Sequence, residues 1–168
     1  MRRSSAKNLA LVALCGGMAL LAWRAVHRTD APGGDDSLAF DRVWVEKRAD
    51  KHTDYVHVML LLQRAHVGLF ERASSYDVHF ELGEFSRDKG TVKLVFPQSG
   101  AKKDFTVKVA KCNSLPPFDL CLDVSENPWG GPRRYYGFAD QEEEGKELGG
   151  LAVDARSRAS QASTTVTE

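Results

Sequence analysis

Tyr76-Asp77-Val78-His79-Phe80-Glu81-Leu82, then Ser86-Arg87-Asp88-Lys89-Gly90, then Thr91-Val92-Lys93-Leu94-Val95-Phe96-Pro97 is the stretch that decides the fold class. In the first segment Tyr76, Val78, Phe80 and Leu82 take one face of a strand, and Asp77, His79 and Glu81 take the other. In the last, Val92, Leu94 and Phe96 alternate with Thr91 and Lys93 until Pro97 stops the ladder. Gly90 suits the positive φ of a tight hairpin turn. A period of two residues on both sides of such a turn predicts antiparallel strands with one buried face.

The pattern continues outward. Phe105, Val107 and Val109 alternate with Thr106 and Lys108, and Phe118, Leu120, Leu122 and Val124 alternate with Asp119, Cys121 and Asp123. Upstream, Phe40–Lys47 reads as a strand carrying Trp44. Residues 55–62 are apolar on both faces, which fits a central strand or a buried helix; the β-branched Val56 and Val58 favour the strand. Residues 66–72 fit a strand or a turn of helix. The expectation is a mainly β fold: a small antiparallel meander of six or seven strands, as a curled sheet or barrel. An early-strand Trp44 and the late Arg133 and Arg134 around such a meander resemble the lipocalin-type barrels in shape. That resemblance implies a tryptophan on the first strand packed against a late arginine.

Residues 1–28 carry Arg2, Arg3 and Lys7, an apolar run from Leu9 to Trp23, and then Arg24 and Arg28. This reads as an export signal or a retained signal-anchor. The run is short against the roughly 20 residues that span a bilayer core, but reaches Val26 if Arg24 snorkels to the interface. No small-x-small cleavage site follows it, and Leu14 before Cys15 does not fit a lipoprotein signal. The expected location is extracytoplasmic, with an uncleaved helix holding the domain on a membrane; cleavage would make it secreted. Residues 29–37 read as a flexible linker, 38–138 as the β domain, and 139–168 as an acidic, then Ser/Thr/Ala-rich, disordered tail.

Charge excludes one class of partner. The 23 Lys and Arg residues balance the 23 Asp and Glu, so no bulk field draws the chain to nucleic acid. The expected partners are the membrane, through the N-terminal segment, and an envelope protein, a glycan or a lipid.

Export turns Cys112 and Cys121 into an expected disulfide. Set directly opposite one another across a hairpin, they place Val109 opposite Val124 and Lys111 opposite Leu122, with both valines on the apolar face. His57, Asp77, His79 and Glu81 are the residues from which a metal site would be drawn, yet alternation alone puts them on a solvent-facing surface. No metal and no cofactor are expected. No metalloprotease, nucleophile-elbow, Walker or dinucleotide motif is present in the sequence.

In Glu126-Asn127-Pro128-Trp129-Gly130-Gly131-Pro132-Arg133-Arg134-Tyr135-Tyr136-Gly137-Phe138 the prolines and glycines forbid regular structure, and aromatic surfaces stand beside two guanidiniums. Trp129, Arg133, Arg134, Tyr135 and Tyr136 therefore form a candidate binding surface for a sugar, an anion or a protein. The competing reading has this irregular segment wrapping the sheet and covering an open end or edge. The functional expectation is a tethered, non-catalytic binding, interaction or structural module. A small barrel carrying an apolar ligand is the alternative, and an extracytoplasmic enzyme stands behind both.

Overall fold

The computed structural model describes residues 36–88 and 90–165. The expected signal-anchor and nearly all of the expected linker lie outside the described residues. The linker's last two residues, Asp36 and Ser37, instead begin a 3-10 turn, Asp36–Ala39.

Eight antiparallel strands follow in order and close into a barrel. They are β1 (Val43–Val45), β2 (Val56–Leu62), β3 (Val67–Ala73), β4 (Val78–Asp88), β5 (Thr91–Val95), β6 (Lys102–Lys111), β7 (Leu120–Val124) and β8 (Arg134–Gly137). One helix ends the described chain, α1 (Gln141–Thr165), with a break at Gly149, whose φ is 49°. Eight strands fit in a chain expected to hold six or seven because several are very short. β8 also lies in the stretch whose prolines and glycines were expected to forbid regular structure. Its four residues pair with β7 on one side and, through Tyr136 and Val45, with β1 on the other, which closes the barrel. Gly90 turns β4 into β5 at φ 84°, as the hairpin requires.

Inside the barrel one contiguous cluster of buried side chains runs from Trp44, Met59 and Phe70 through Leu94 and Phe105 to Leu122 and Tyr135. One end is closed by the 3-10 turn. Phe40 tucks under the barrel against Phe85, with ring centroids 5.8 Å apart, and the Arg87 guanidinium lies 4.2 Å from the Phe40 ring. Trp44 donates its indole N–H to the Ala39 carbonyl at 2.9 Å, tying the turn to the first strand.

A second apolar cluster covers the outside of the same wall. Val43, Val45, Val56, Val58, Leu60, Val67 and Leu69 pack against Ala152, Ala155 and Ala159 of α1. This explains why residues 55–62 are apolar on both faces: one face fills the barrel and the other meets a helix. It also corrects the disordered tail. The signal was Leu148, Leu151, Ala152, Ala155 and Ala159, spaced for one helix face, with alanines small enough for close approach to the sheet. The acidic cluster opens that helix. Asp140 accepts from the Glu142 amide at 2.7 Å as an N-cap, and Glu142, Glu143 and Glu144 occupy the first turn, where the helix dipole favours negative charge.

β4 corrects a face assignment. Val78 lies opposite Ala73, Phe80 opposite Glu71 and Leu82 opposite Leu69, all on the outer wall. The inner face carries His79, Glu81, Gly83 and Phe85, so the polar set expected outside points into the barrel end. Val78 and Phe80 stay partly exposed, with the Arg158 guanidinium of α1 5.8 Å from the Phe80 ring.

Two buried carboxylates fasten α1. Glu144 accepts from the Val43 amide at 3.0 Å and from Arg156 at 2.5 Å. Glu71, facing outward from β3, accepts from Arg158 at 2.6 Å. Burial of Glu71 outweighs the attraction of Arg158 and holds its carboxyl above the ordinary value of 4.5. Arg158→Ala leaves that charge buried and unpaired, and is expected to cost about 3–5 kcal/mol at neutral pH. A carboxyl whose folded pKa is raised binds its proton more tightly when folded, so the loss shrinks as pH falls through the raised value. Glu71→Gln removes the buried charge and is expected to change stability far less. Urea titrations at pH 7 and pH 5 check both; an Arg158→Ala deficit that grows on acidification contradicts the assignment.

The disulfide between Cys112 and Cys121 is present, with Cα atoms 5.6 Å apart. The register is two residues away from that expected. Ala110 faces Cys121, Val109 faces Leu122 and Val107 faces Val124. A shift of two preserves every face, so both valines remain inside. The bridge therefore crosses diagonally at the hairpin's open turn, where the Cys112 amide donates to the Asp119 carbonyl. Closing so short a loop contributes about 2.7 kcal/mol in the chain-entropy account.

Candidate functional site

Directly opposed residues of neighbouring strands share a face, so register alone assembles a polar row on the inward face at the open mouth of one barrel end, where Arg72 and His79 remain exposed. His57 of β2 lies opposite Arg72 of β3, and Arg72 lies opposite His79 of β4. Glu46, just past β1, continues the row, its amide donating to the His57 carbonyl at 2.9 Å. One level deeper, Trp44, Met59 and Phe70 face the same interior and form an apolar floor.

Each histidine is held by a carboxylate. His57 Nδ1 is 2.7 Å from Glu46 Oε2, and His79 Nε2 is 2.9 Å from Asp77 Oδ2. Asp77 also accepts from the Tyr55 hydroxyl at 2.8 Å. That hydrogen bond, foremost, holds the Asp77 carboxyl below the usual carboxylate range, and the same contact pushes the Tyr55 phenol up. The Arg72 guanidinium stacks over the Tyr55 ring, 4.2 Å from its centroid. Deeper in, Glu81 accepts from the Ser99 hydroxyl at 3.4 Å.

The loop from β7 to β8 crosses this end. Asn127 is buried and organises it: its Nδ2 donates to the Pro132 carbonyl and to the Tyr135 hydroxyl, while its Oδ1 accepts from the Trp129 amide. Burial pushes the Tyr135 phenol well above its ordinary value. Gly131 sits against the His57 ring, where an added Cβ would stand 3.2 Å from the ring carbon Cδ2. Trp129 is half-buried and packs on the interior cluster.

The candidate surface drawn from the sequence is therefore divided. Tyr135 points inward and is buried, whereas Tyr136 points outward against Phe118, with ring centroids 6.0 Å apart. Arg134 also points outward, bound to Asp123 at 2.7 and 2.8 Å, and that pairing holds the Asp123 carboxyl below its usual range. Arg133 is exposed. Neither arginine packs on Trp44, which lies instead against Gly137, so that feature of the lipocalin resemblance does not hold. Of the five residues, Trp129 and Tyr135 belong to the polar end. His57, Asp77, His79 and Glu81 gather there too, yet among the described residues no group of three or more His, Cys, Asp or Glu side chains is placed to hold a metal ion. Sequence reasoning missed Glu46, Tyr55, Arg72 and Asn127. Their only signal was position: each is a polar residue at the end of an apolar strand or beside one.

Two clefts, of about 410 and 240 Å³, lie between α1 and the outer wall. The larger is lined in part by Glu71 and Arg158, which are already bound to each other. Comparison with known protein families, with curated proteins and with solved structures finds no match for this chain.

Proposed function

We propose that this chain is a non-catalytic binding domain, exported and held on a membrane by its N-terminal segment, whose binding face is the polar end of the barrel. The observation that supports the reading is the row Glu46–His57–Arg72–His79, drawn from adjoining strands to one end above an interior already filled by side chains. Polar groups turned inward at a barrel end add little to the core. They suit recognition of a molecule that caps the opening. Carriage of an apolar ligand gains no support, because each of the eight strands contributes at least one side chain to one packed interior cluster.

Photo-cross-linking in cells making the full chain tests the face. A photoreactive residue at Ser99, beside Glu81, is expected to yield a discrete adduct, and one at Lys108, on the outer wall, is not. Adducts from Lys108 alone overturn the face. Protease protection in membrane vesicles tests the location: a domain digested only after the cytoplasmic side is opened overturns export.

A further inference from the structure

The geometry points to a specific occupant for this end: a small sugar acid, its carboxylate seated on Arg72. The inference rests on the polar end being the binding face. Arg72 combines a ring stack with no ion pair, as Arg87 does on Phe40 at the opposite end of the barrel, but Arg72 alone of the two stands between two histidines. Arg134, Arg156 and Arg158 each hold a carboxylate, and Arg42 donates to two carbonyls. Arg72 stacks on Tyr55, which occupies one face of the guanidinium and leaves its N–H edge without an ion pair among the described residues. Tyr55 is itself fixed by Asp77, so the fork is held flat at a set height in the barrel end. A planar fork with unspent N–H groups matches a carboxylate in bidentate fashion.

The neighbours limit the charge. His57 and His79 flank Arg72 on either side, each with one ring nitrogen given to a carboxylate and the other left to meet a ligand. Glu46 and Asp77, paired to those histidines, and Glu81 on the same inner face bring negative charge to this end, which opposes a dianion such as a phosphate monoester more strongly than a monoanion. Two ring nitrogens and the remaining carboxylate oxygens offer both donors and acceptors, the mixture that hydroxyl groups satisfy. Trp129, half-buried on the loop that crosses His57, adds a flat apolar surface with a polar edge. A ring bearing hydroxyls and one carboxylate meets all of these groups.

NMR titration of the full-length chain in detergent tests this with glucuronate, its neutral counterpart glucose, and inorganic phosphate. Glucuronate is expected to shift the His57, His79 and Trp129 side-chain resonances saturably, with glucose at least about tenfold weaker. Arg72→Gln is expected to reduce glucuronate to the level of glucose while backbone resonances keep their dispersion. Arg72→Lys, which keeps the charge and loses the fork, is expected to fall between. Equal affinity for glucose, tighter binding of phosphate, an unchanged Arg72→Gln variant, or no shifts up to about 10 mM each overturns the inference. If the cross-link at Ser99 still forms in that event, the binding face stands and only its occupant is wrong.

Discussion

Truncation after Asp140 is expected to leave a chain that no longer melts cooperatively and that aggregates at room temperature. The removed helix covers Val43, Val45, Val56, Val58, Leu60, Val67 and Leu69, each at most 5% exposed in the intact chain. Fully burying a valine or leucine contributes about 1.5–3 kcal/mol, so re-exposing even half of this wall removes an amount comparable to the 5–15 kcal/mol that holds a typical domain together. The helix also takes Glu144 from the Val43 amide and Arg158 from Glu71, removing two polar ties between helix and barrel. Exposed, the wall is a contiguous apolar patch of the kind that drives association. Circular dichroism melts and sedimentation check the outcome. A truncated barrel that keeps a sharp transition within about 5 °C of the intact chain contradicts the view that α1 completes the fold. Ala155→Asp is the finer version: it puts one charge into the helix–barrel seam at a position with no exposed surface, and is expected to lower the melting point while leaving the helix intact.

The same helix accounts for what could and could not be read in the chain. β5, β6 and β7 face a single core, so their alternation identified inward residues correctly: Val92, Leu94, Phe105, Val107, Val109, Leu120, Leu122 and Val124 are all buried inside, whereas Phe118, read with the last three, precedes the strand and packs outside against Tyr136 and Phe138. β2 and β3 face two cores, and continuous apolar runs carry no face information. On β4, alternation was present but assigned the wrong way round. The outer wall is the apolar one there because it adjoins the helix-covered surface, and the inner one is polar because it lines the barrel end. Nothing local distinguishes those two cases.

The site was legible only in fragments. His57 and His79 were visible as polar residues on strands, and Trp129 and Tyr135 as unusual aromatics. Their gathering depends on closure, which brings residues near position 46 beside others near 57, 72 and 79. Arg72 drew no notice because an arginine at a strand end is ordinary in sequence. Its stack on Tyr55 exists only once β2 and β3 are paired in this register.

Trp44→Ala is expected to be the most damaging single substitution inside the barrel, costing about 3–5 kcal/mol and lowering the melting point by on the order of 10–20 °C. Trp44 has no exposed surface, and its indole N–H ties the 3-10 turn to β1. The variant therefore loses ring contacts inside the barrel and the anchor of its closed end together. Trp44→Phe separates these effects: most of the ring remains, while the Ala39 carbonyl loses its donor, at about 1–3 kcal/mol. Gly137 supplies the second half of the test. A Cβ there would stand 2.8 Å from Trp44 Cε3, so Gly137→Ala overpacks the site and is expected to cost about 1–3 kcal/mol alone. Combined with Trp44→Phe, the added methyl meets a smaller ring, and the double variant is expected to lose less than the sum of the two single losses. Strict additivity in denaturant titrations contradicts direct contact between Trp44 and the β8 backbone. The coupling also reaches the polar end, since Trp44 shares the floor with Met59 and Phe70 beneath His57 and Arg72. A variant that loosens this floor without unfolding the barrel is expected to weaken the proposed binding at that end while leaving every polar residue in place.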